Sequence, residues 1–405
     1  MKIAHQLLFM ALTTLVLFAG IWIGAEVLNA ILVKVYDCRD PALVSYAADE
    51  QLQRLDQHEL FGAFGLSSPN EVKTLYREFA VAGSIYEPFV ETRSRSFEGK
   101  YYGVSPQGFR KTSADTAWPP AKGKKVVFFF GGSTCFHVGP WWTGVAPAFQ
   151  RELARAGKSD YLVYNFGRSS YFSTQERILF EQLLLEGSRP DVAIFLDGLN
   201  DLQIESGVPL ATPFIASLYN RATEENKHRY FSHHQRLFFA KLSEAWAWSG
   251  PMVFLSNLKN LSAQNAYRPL GENGKASPRF AAAASPEKIL AAIERLISNW
   301  RMIDRLAQEY GVKTAFIIQP VPVFDYELKY HRFVPTEWPS SMANVAAGYP
   351  LLKQRCATEK QLAVLDLSDL QKGSMKNLYI DSCHYTAEFS EIIAQRILTY
   401  YVDKK

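Results

Sequence analysis

Residues 124–134 read KKVVFFFGGST, in which a run of five apolar residues is followed directly by two glycines and two hydroxyl side chains. An apolar run without polar alternation is typical of a strand that is buried on both faces of a sheet. The two glycines allow the chain to leave such a strand in a tight turn with close backbone contacts. This stretch therefore predicts a buried strand that ends at a sharp turn into a helix.

Similar apolar runs return four more times along the chain, and stretches with helical periodicity separate them. Strands that alternate with helices are typical of a parallel sheet covered by helices on both faces, which predicts the α/β class. A last helix is predicted to begin at Thr386, a good N-cap, with Glu388 in its first turn. The predicted strands are Val126–Phe130, Tyr161–Asn165, Val192–Leu196, Thr314–Ile318 and Leu362–Leu365, and the predicted helices between them are Val145–Ala156, Ser173–Glu186, Pro286–Tyr310 and Met342–Glu359.

Length and composition exclude several classes of protein. At 405 residues the chain has room for one large domain or two ordinary ones. A hydrophobic fraction of 48% and a charged fraction of 21% exclude a mainly disordered chain and a coiled coil. The net charge of +4 comes without a block of basic residues, so nucleic acid is not an expected partner. Four cysteines are too few for a disulfide scaffold.

The N-terminal segment Leu7–Ala25 is predicted to be a membrane anchor. Its nineteen residues carry no charge and are enough for a helix to cross a hydrocarbon core of about 30 Å. Because the candidate cleavage sites lack the small-residue pattern, we interpret the segment as an uncleaved signal anchor rather than a cleaved signal peptide or a buried core helix. Lys2 lies before the span, so the positive-inside rule places the remainder outside. The expected location is a bacterial inner membrane, spanned once, with the rest of the chain facing the periplasm.

The chain is predicted to have three regions. Residues 1–36 form the anchor, residues 37–123 a neck and N-terminal extension, and residues 124–405 the α/β domain. Within the neck, Asp49–Leu60 and Asn70–Phe79 have helical patterns. An insertion at about residues 203–285 separates the third and fourth predicted strands. Its aromatic residues fit a lid or a membrane-facing surface as well as ordinary packing against the core, so its role stays open.

Three predicted strands are followed by residues that can take part in catalysis. In a parallel α/β sheet, ligands bind outside the carboxyl ends of the strands. Ser133, after the first strand, is a candidate nucleophile whose neighbouring amides can stabilise an oxyanion. Gly167 follows the second strand with a backbone N–H, and Asn200 follows the third with a side-chain amide. Taken singly, each also fits a plainer role: an N-cap serine, a turn glycine and an Asx-turn.

Asp381 and His384 stand together shortly before the last predicted helix. Catalysis by a Ser-His-Asp triad needs a base within reach of the nucleophile and a carboxylate that fixes the tautomer of the base. An aspartate three residues before a histidine can meet both needs from one loop. By itself, the pair equally fits surface polarity.

Taken in order, these four motifs resemble the four sequence blocks of the SGNH (GDSL-type) hydrolases. The resemblance covers about residues 124–400, and its most specific piece is Gly198-Leu199-Asn200-Asp201. It implies a three-layer α/β/α flavodoxin-like fold with a five-stranded parallel sheet. The family's name-giving motif has an aspartate before the serine, where this chain has Gly132. The Gly-Gly-Ser-Thr form looks like a branch of the family found in membrane-anchored bacterial proteins.

The resemblance also implies a role for each residue. Ser133 would attack an ester carbonyl, and His384 would take its proton and later protonate the leaving alcohol. Asp381 would orient His384. The backbone N–H groups of Ser133 and Gly167 and the side chain of Asn200 would hold the oxyanion. No metal ion or organic cofactor is implied.

Three smaller features stay open at this stage. Cys135 and Cys383 would lie near the same crevice, either as a disulfide or as separate thiols. Arg168 is either a contact for an anionic substrate or a structural residue. His233-His234 and His137 have no Cys or Asp cluster with ligand spacing beside them, so a metal site is not predicted.

The function expected from sequence is that of a membrane-anchored serine esterase. Its location suits O-acyl groups on cell-surface carbohydrate, such as acetyl esters. The same triad would also serve an O-acyltransferase, and lipid esters or thioesters are a further class of substrate. The main alternative is a non-catalytic SGNH-like subunit that scaffolds or binds in polysaccharide export. Protein partners and oligomeric state are not predicted.

Overall fold

The computed structural model describes residues 10, 13–14, 16–28, 57–113, 117–213, 279–334 and 337–403 of the chain. The chain divides into two compact units, one made of Met1–Asp49 with Phe214–Leu270 and the other of Glu50–Pro213 with Gly271–Lys405. The second unit contains every residue that the sequence singles out for catalysis.

Strands and helices of the second unit alternate as the apolar runs predict. The four predicted intervening helices agree with the observed ones within two residues at each end. The strands are β1 Ser84–Glu87, β2 Glu91–Ser94, β3 Phe97–Glu98, β4 Gly103–Val104, β5 Lys125–Gly131, β6 Tyr161–Asn165, β7 Val192–Asp197, β8 Arg279–Phe280, β9 Lys313–Ile318, β10 Glu337–Trp338 and β11 Val364–Asp366. The helices are α1 Gln57–Phe64, α2 Pro69–Ala82, α3 Ser133–Phe136, α4 Val145–Arg155, α5 Ser173–Leu185, α6 Leu199–Gln203, α7 Pro286–Glu309, α8 Ser340–Ala357 and α9 Ala387–Asp403.

Five strands form one parallel sheet in the order β11-β9-β7-β5-β6. Counted along the chain, this is the order 2-1-3-4-5 of the flavodoxin-like fold. The connections reverse direction between β5 and β7, and ligands of such folds bind at this switch point, outside the carboxyl ends of the strands. The predicted fold class is therefore confirmed, and the turn after β5 lies at the expected binding edge. The fifth strand begins at Val364, two residues later than predicted.

Alternate residues of β5 pack on opposite faces of the sheet. Phe128 and Phe130 belong to a core shared with α5, α7 and α8, whereas Phe129 belongs to a core shared with α4 and α9. Across the first face, Phe130 stacks on Phe195 with ring centroids 4.7 Å apart, and Phe195 stacks on Phe316 at 5.5 Å. Helices on both faces of the sheet give the predicted three-layer α/β/α arrangement.

The neck forms a smaller core of its own in the same unit. Its helix α2 is capped by Ser68, whose Oγ accepts from the backbone N–H of Glu71 at 3.4 Å. The helical pattern predicted at Asn70–Phe79 is thus confirmed, whereas that at Asp49–Leu60 lies largely outside the described residues. Phe136 and Ile380 are buried in the neck core together with residues of α1 and α2. The neck therefore supports the segments next to the predicted nucleophile and the predicted base.

Residues 16–28 form a helix within the predicted anchor. No helix among the described residues has the length and apolar character that a membrane span requires. Part of the predicted span Leu7–Ala25 lies outside the described residues, and so do residues 214–278 of the insertion. At the other end of the chain, the backbone N–H of Phe389 donates to the Thr386 hydroxyl at 3.1 Å, which confirms the predicted N-cap of α9.

Candidate active site

The turn after β5 needs glycine at both positions before Ser133. A Cβ atom on Gly131, whose φ is +152°, would lie 2.9 Å from the carbonyl oxygen of Leu196. A Cβ atom on Gly132 would lie 2.1 Å from Nδ2 of Asn200. The turn at Gly132 is therefore packed closely against the Asn200 amide, with no room for a Cβ atom unless that amide moves. Ser133 then begins α3 and is half-buried.

Asn200 lies in α6, directly beside this turn. Its Nδ2 donates to the carbonyl oxygen of Tyr171 at 2.7 Å, which fixes the orientation of the carboxamide. A primary amide nitrogen carries two N–H groups, and Tyr171 accepts from one of them. The contact with Gly132 shows that the same amide approaches the backbone next to Ser133.

Gly167 packs against α3 from the other side. A Cβ atom here would lie 2.7 Å from the backbone nitrogen of Phe136, so only glycine fits. Its N–H donates to Oδ1 of Asn165 at 2.9 Å, and Nδ2 of Asn165 donates to the carbonyl oxygen of Cys135 at 2.8 Å. The N–H of Gly167, the predicted oxyanion donor, is thus engaged by Asn165, and a substrate oxygen would have to share or replace Asn165 as its acceptor.

Asp381 and His384 form a hydrogen-bonded pair. Oδ2 of Asp381 and Nδ1 of His384 are 2.5 Å apart. Oδ1 of Asp381 accepts from the backbone N–H groups of Cys383 at 2.9 Å and His384 at 2.8 Å. The loop is closed by the backbone N–H of Ile380, which donates to the carbonyl oxygen of His384 at 2.8 Å. The carboxylate is therefore fixed on Nδ1 of His384 by three hydrogen bonds, which leaves Nε2 as the other ring nitrogen.

The charges of Asp381 and His384 shift each other's pKa. Burial raises the pKa of Asp381, but the His384 charge and the hydrogen bonds from His384 and Cys383 outweigh it and bring the pKa to about 2. Burial lowers the pKa of His384, but the Asp381 charge outweighs it and holds the pKa well above its ordinary value. Nε2 of His384 is shielded from solvent and has no hydrogen-bond partner among the described residues. This nitrogen is the one that a triad uses as the base.

Packing in the neck core and a hydrogen bond to the end of β9 hold the histidine loop at the carboxyl edge of the sheet, where the serine turn also lies. Phe136 of α3 and Ile380, which precedes Asp381, are buried in the same neck core. The hydroxyl of Tyr385 donates to the carbonyl oxygen of Pro320, just beyond β9, at 2.9 Å. Although Ser133 donates no hydrogen bond to Nε2 of His384 here, catalytic hydrogen bonds often align only when substrate is bound.

Gln319 also lies at this edge and is not among the residues predicted from sequence. Gln319 follows β9 directly and is buried, and its Oε1 accepts from the hydroxyl of Thr134 at 3.1 Å. Its backbone carbonyl accepts from the hydroxyl of Tyr349 at 3.0 Å. The rule that singled out Ser133, Gly167 and Asn200 points to Gln319 when it is applied to the fourth strand.

Three carboxylic side chains form a second acidic cluster beneath this edge. Glu176, Asp197 and Asp201 are all buried. Burial, with the charge of Asp197 next, raises the pKa of Glu176 well above its ordinary value. Burial and the charge of Asp201 raise the pKa of Asp197 to about 7. Asp197 accepts from Nε1 of Trp300 at 2.6 Å, and Asp201 accepts from the hydroxyl of Ser173 at 2.5 Å and from its backbone N–H at 3.3 and 3.4 Å.

The structure describes Cys135, Cys383, Arg168 and His137, whose roles the sequence leaves open. Cys135 and Cys383 are both free thiols, so they do not form a disulfide. Arg168 is buried and forms an ion pair with Glu87 of β1 at 2.7 Å, so it is a structural residue. The ring of His137 is also buried, and its Nε2 lies 2.8 Å from the hydroxyl of Thr143.

Comparison with known proteins gives a likeness to esterases and lipases. No family model matches the chain, and no curated protein matches it in sequence. A lipase from a goat rumen metagenome is 12% identical, with 68% of this chain and 97% of that chain covered and a TM-score of 0.39. An acetyl xylan esterase is 12% identical, with 68% and 98% covered and a TM-score of 0.36. A GDSL-like lipase from Bacteroides thetaiotaomicron is 12% identical, with 71% and 93% covered and a TM-score of 0.33.

One of these neighbours is described as a GDSL-like lipase, the class that the four sequence motifs resemble. At such identities and TM-scores the chemistry must be inferred from the site itself.

Proposed function

We propose that this protein is a serine esterase that acts through Ser133, His384 and Asp381. The observation that carries the proposal is the His384–Asp381 pair, in which Asp381 occupies Nδ1 and leaves Nε2 shielded and unpartnered among the described residues. A histidine held in this way is a general base that lacks only its substrate-side partner. Ser133, at the start of α3, is the hydroxyl at the same edge of the sheet.

In the proposed mechanism, Ser133 Oγ attacks the ester carbonyl while His384 Nε2 takes its proton. Asp381 stabilises the imidazolium that forms. The backbone N–H of Ser133, the second N–H of the Asn200 amide and the N–H of Gly167 bind the oxyanion. His384 then protonates the leaving alcohol. Water completes hydrolysis of the acyl-enzyme, and a sugar hydroxyl in its place would make the protein an O-acyltransferase.

We also propose that the enzyme is anchored in the inner membrane and faces the periplasm. Several large apolar side chains of the helix at residues 16–28 are exposed, which supports an anchor because such side chains favour a lipid environment. Among them Val16 is 67% exposed and Ile23 64%. An anchored enzyme at this location suits O-acyl groups, such as acetyl esters, on cell-surface carbohydrate.

The proposal is tested with the full chain in detergent, an activated acetyl ester and a fluorophosphonate probe. The unaltered protein should hydrolyse the ester and react with the probe, and Ser133→Ala should do neither. Ser159→Ala, at an exposed serine, is the matched control and should behave like the unaltered protein. A folded protein that neither turns over the ester nor reacts with the probe would instead favour a non-catalytic role. Adding a sugar acceptor and analysing the products separates transfer from hydrolysis.

A further inference from the structure

Cys383 adds a third donor atom to the catalytic pair. Among the described residues, Asp381, Cys383 and His384 form the one group of three whose carboxylate oxygen, Sγ and Nδ1 all lie within 4.8 Å of one another. Sγ of Cys383 is 3.7 Å from Nδ1 of His384. All three side chains are half-buried, so the group is reachable from solvent.

We propose that these three side chains bind Zn²⁺, and that the bound ion inhibits the enzyme. A thiolate, an imidazole and a carboxylate are the donors that zinc prefers. In a tetrahedral site, Zn–S and Zn–N bonds of about 2.3 and 2.0 Å place sulfur and nitrogen about 3.5 Å apart. The observed separation of 3.7 Å is already close to that value. Oδ2 of Asp381 exchanges its hydrogen bond with His384 for the metal and moves from 2.5 Å to about 3.3 Å from Nδ1, the separation set by Zn–O and Zn–N bonds of about 2.0 Å. Oδ1 stays bound to two backbone N–H groups.

Inhibition follows from the tautomer of His384, and this step depends on the proposed esterase function. When Zn²⁺ binds, the thiol of Cys383 releases its proton to solvent and its sulfur bonds to the metal. The metal also replaces the proton on Nδ1 of His384, which leaves for solvent if the ring is an imidazolium and moves to Nε2 through solvent if the ring is neutral. In both cases the imidazole bound to the metal keeps one proton, on Nε2. A protonated Nε2 cannot accept the proton of Ser133. Water fills the fourth position of the ion, and no oxidation or reduction takes place.

The other described cysteines are suited to serve as internal controls. Cys135 is completely buried, and its Sγ lies 3.5 Å from Oδ1 of Asn165. Cys356 is also buried, within the core beneath α8. Only Cys383 among the described cysteines combines accessibility with a neighbouring imidazole and carboxylate. The site should therefore depend on this one thiol.

The experiment uses the full chain and two independent readouts. Zn²⁺ inhibition of ester hydrolysis is measured relative to the metal-free rate of each variant, with Mg²⁺ as the control ion. Binding is measured without activity through Co²⁺, whose bond to a thiolate gives a near-ultraviolet absorption band. For Cys383→Ser we expect Zn²⁺ affinity to fall at least about tenfold, since even loss of an outer-shell partner has that effect. The variant should also lack the Co²⁺ band, whereas Cys356→Ser should match the unaltered protein in both readouts.

Each outcome decides the proposal. Equal Zn²⁺ inhibition of the Cys383→Ser variant and the unaltered protein would overturn it, because the metal would then act elsewhere. Absence of the Co²⁺ band in the unaltered protein would overturn it as well. A band that requires Cys383 in a protein without esterase activity would support the metal site while the esterase proposal fails.

Discussion

The first acidic group, Asp381, and the second, the buried cluster of Glu176, Asp197 and Asp201, have pKa values shifted in opposite directions. Asp381 faces an imidazole and two backbone N–H groups, and its pKa falls to about 2. Asp197 lies against Glu176 and Asp201 in the interior, and its pKa rises to about 7. Burial raises the pKa in both places, so the neighbours make the difference. The neighbouring imidazole and N–H groups keep Asp381 ionised, whereas burial next to other carboxyl groups favours the protonated form at Asp197 and Glu176.

The largest effect is expected from removing the charge at the first group. Asp381→Asn keeps the size of the side chain but leaves His384 without a carboxylate on Nδ1. We expect kcat to fall about 10⁴-fold, as the loss of this charge does in other triads. Steady-state kinetics measures the loss, with circular dichroism as the check on folding. A fall of less than about tenfold would show that Asp381 does not orient the base.

The next effect tests whether Glu176 is neutral in the folded protein. Glu176→Gln keeps the volume and the ability to donate a hydrogen bond, so unfolding free energy should change by about 1 kcal/mol or less. Glu176→Ala leaves a cavity and should cost about 2–5 kcal/mol. Urea unfolding of both variants measures the difference. A loss of unfolding free energy in Glu176→Gln as large as that in Glu176→Ala would mean that Glu176 is ionised in the folded protein and that its pKa is not raised.

The two groups also predict opposite responses of stability to pH. The folded protein binds more protons at Asp197 than the unfolded chain between about pH 4 and 7, so this group's contribution falls as pH rises through that window. At Asp381 the unfolded chain binds more protons, so its contribution is lost as pH falls from about 4 to 2.

The titration of one carboxyl group changes the free energy of unfolding by at most about 1.4 kcal/mol per pH unit. Urea midpoints across the upper window measure it, and Asp197→Asn is the matched control, which should flatten the slope. A slope unchanged in that variant would assign the pH dependence to other groups.

The smallest effect concerns a donor to the second group. Ser173 donates from its hydroxyl to Asp201 and accepts from Nδ2 of Asn299 at 2.9 Å. Ser173→Ala removes both bonds and should lower unfolding free energy by about 1–2 kcal/mol. Thr174→Ala, which removes another acceptor of Asn299, is the control on Asn299. An equal loss in the two variants would show that the bond to Asp201 contributes little.

Local signals predicted the sheet and the residues at its edge. The apolar runs predict the strands because a strand buried on both faces of a sheet is almost entirely apolar. Thr386 predicts the start of α9 because a helix N-cap depends on residues close to it in sequence. Ser133, Gly167 and Asn200 were found because they directly follow strands. Gln319 follows a strand too, and only an incomplete use of the same rule missed it.

Other features depend on contacts between distant parts of the chain. Gly132 is required because Asn200, far along the sequence, fills the space beside it. The N–H of Gly167 is engaged by Asn165, which its position after a strand does not reveal. Glu176 lies on a helix and meets Asp197 only when the sheet and helix pack together. A buried acidic group of this kind has no local sequence signal.

Mass mapping of the fluorophosphonate adduct in the full chain tests the central claim most directly. The account predicts a single adduct on Ser133, formed more slowly as pH falls through the raised pKa of His384 because the protonated base cannot activate the serine. An adduct on another serine, or continued ester hydrolysis while Ser133 stays unmodified, would contradict the assignment of the nucleophile.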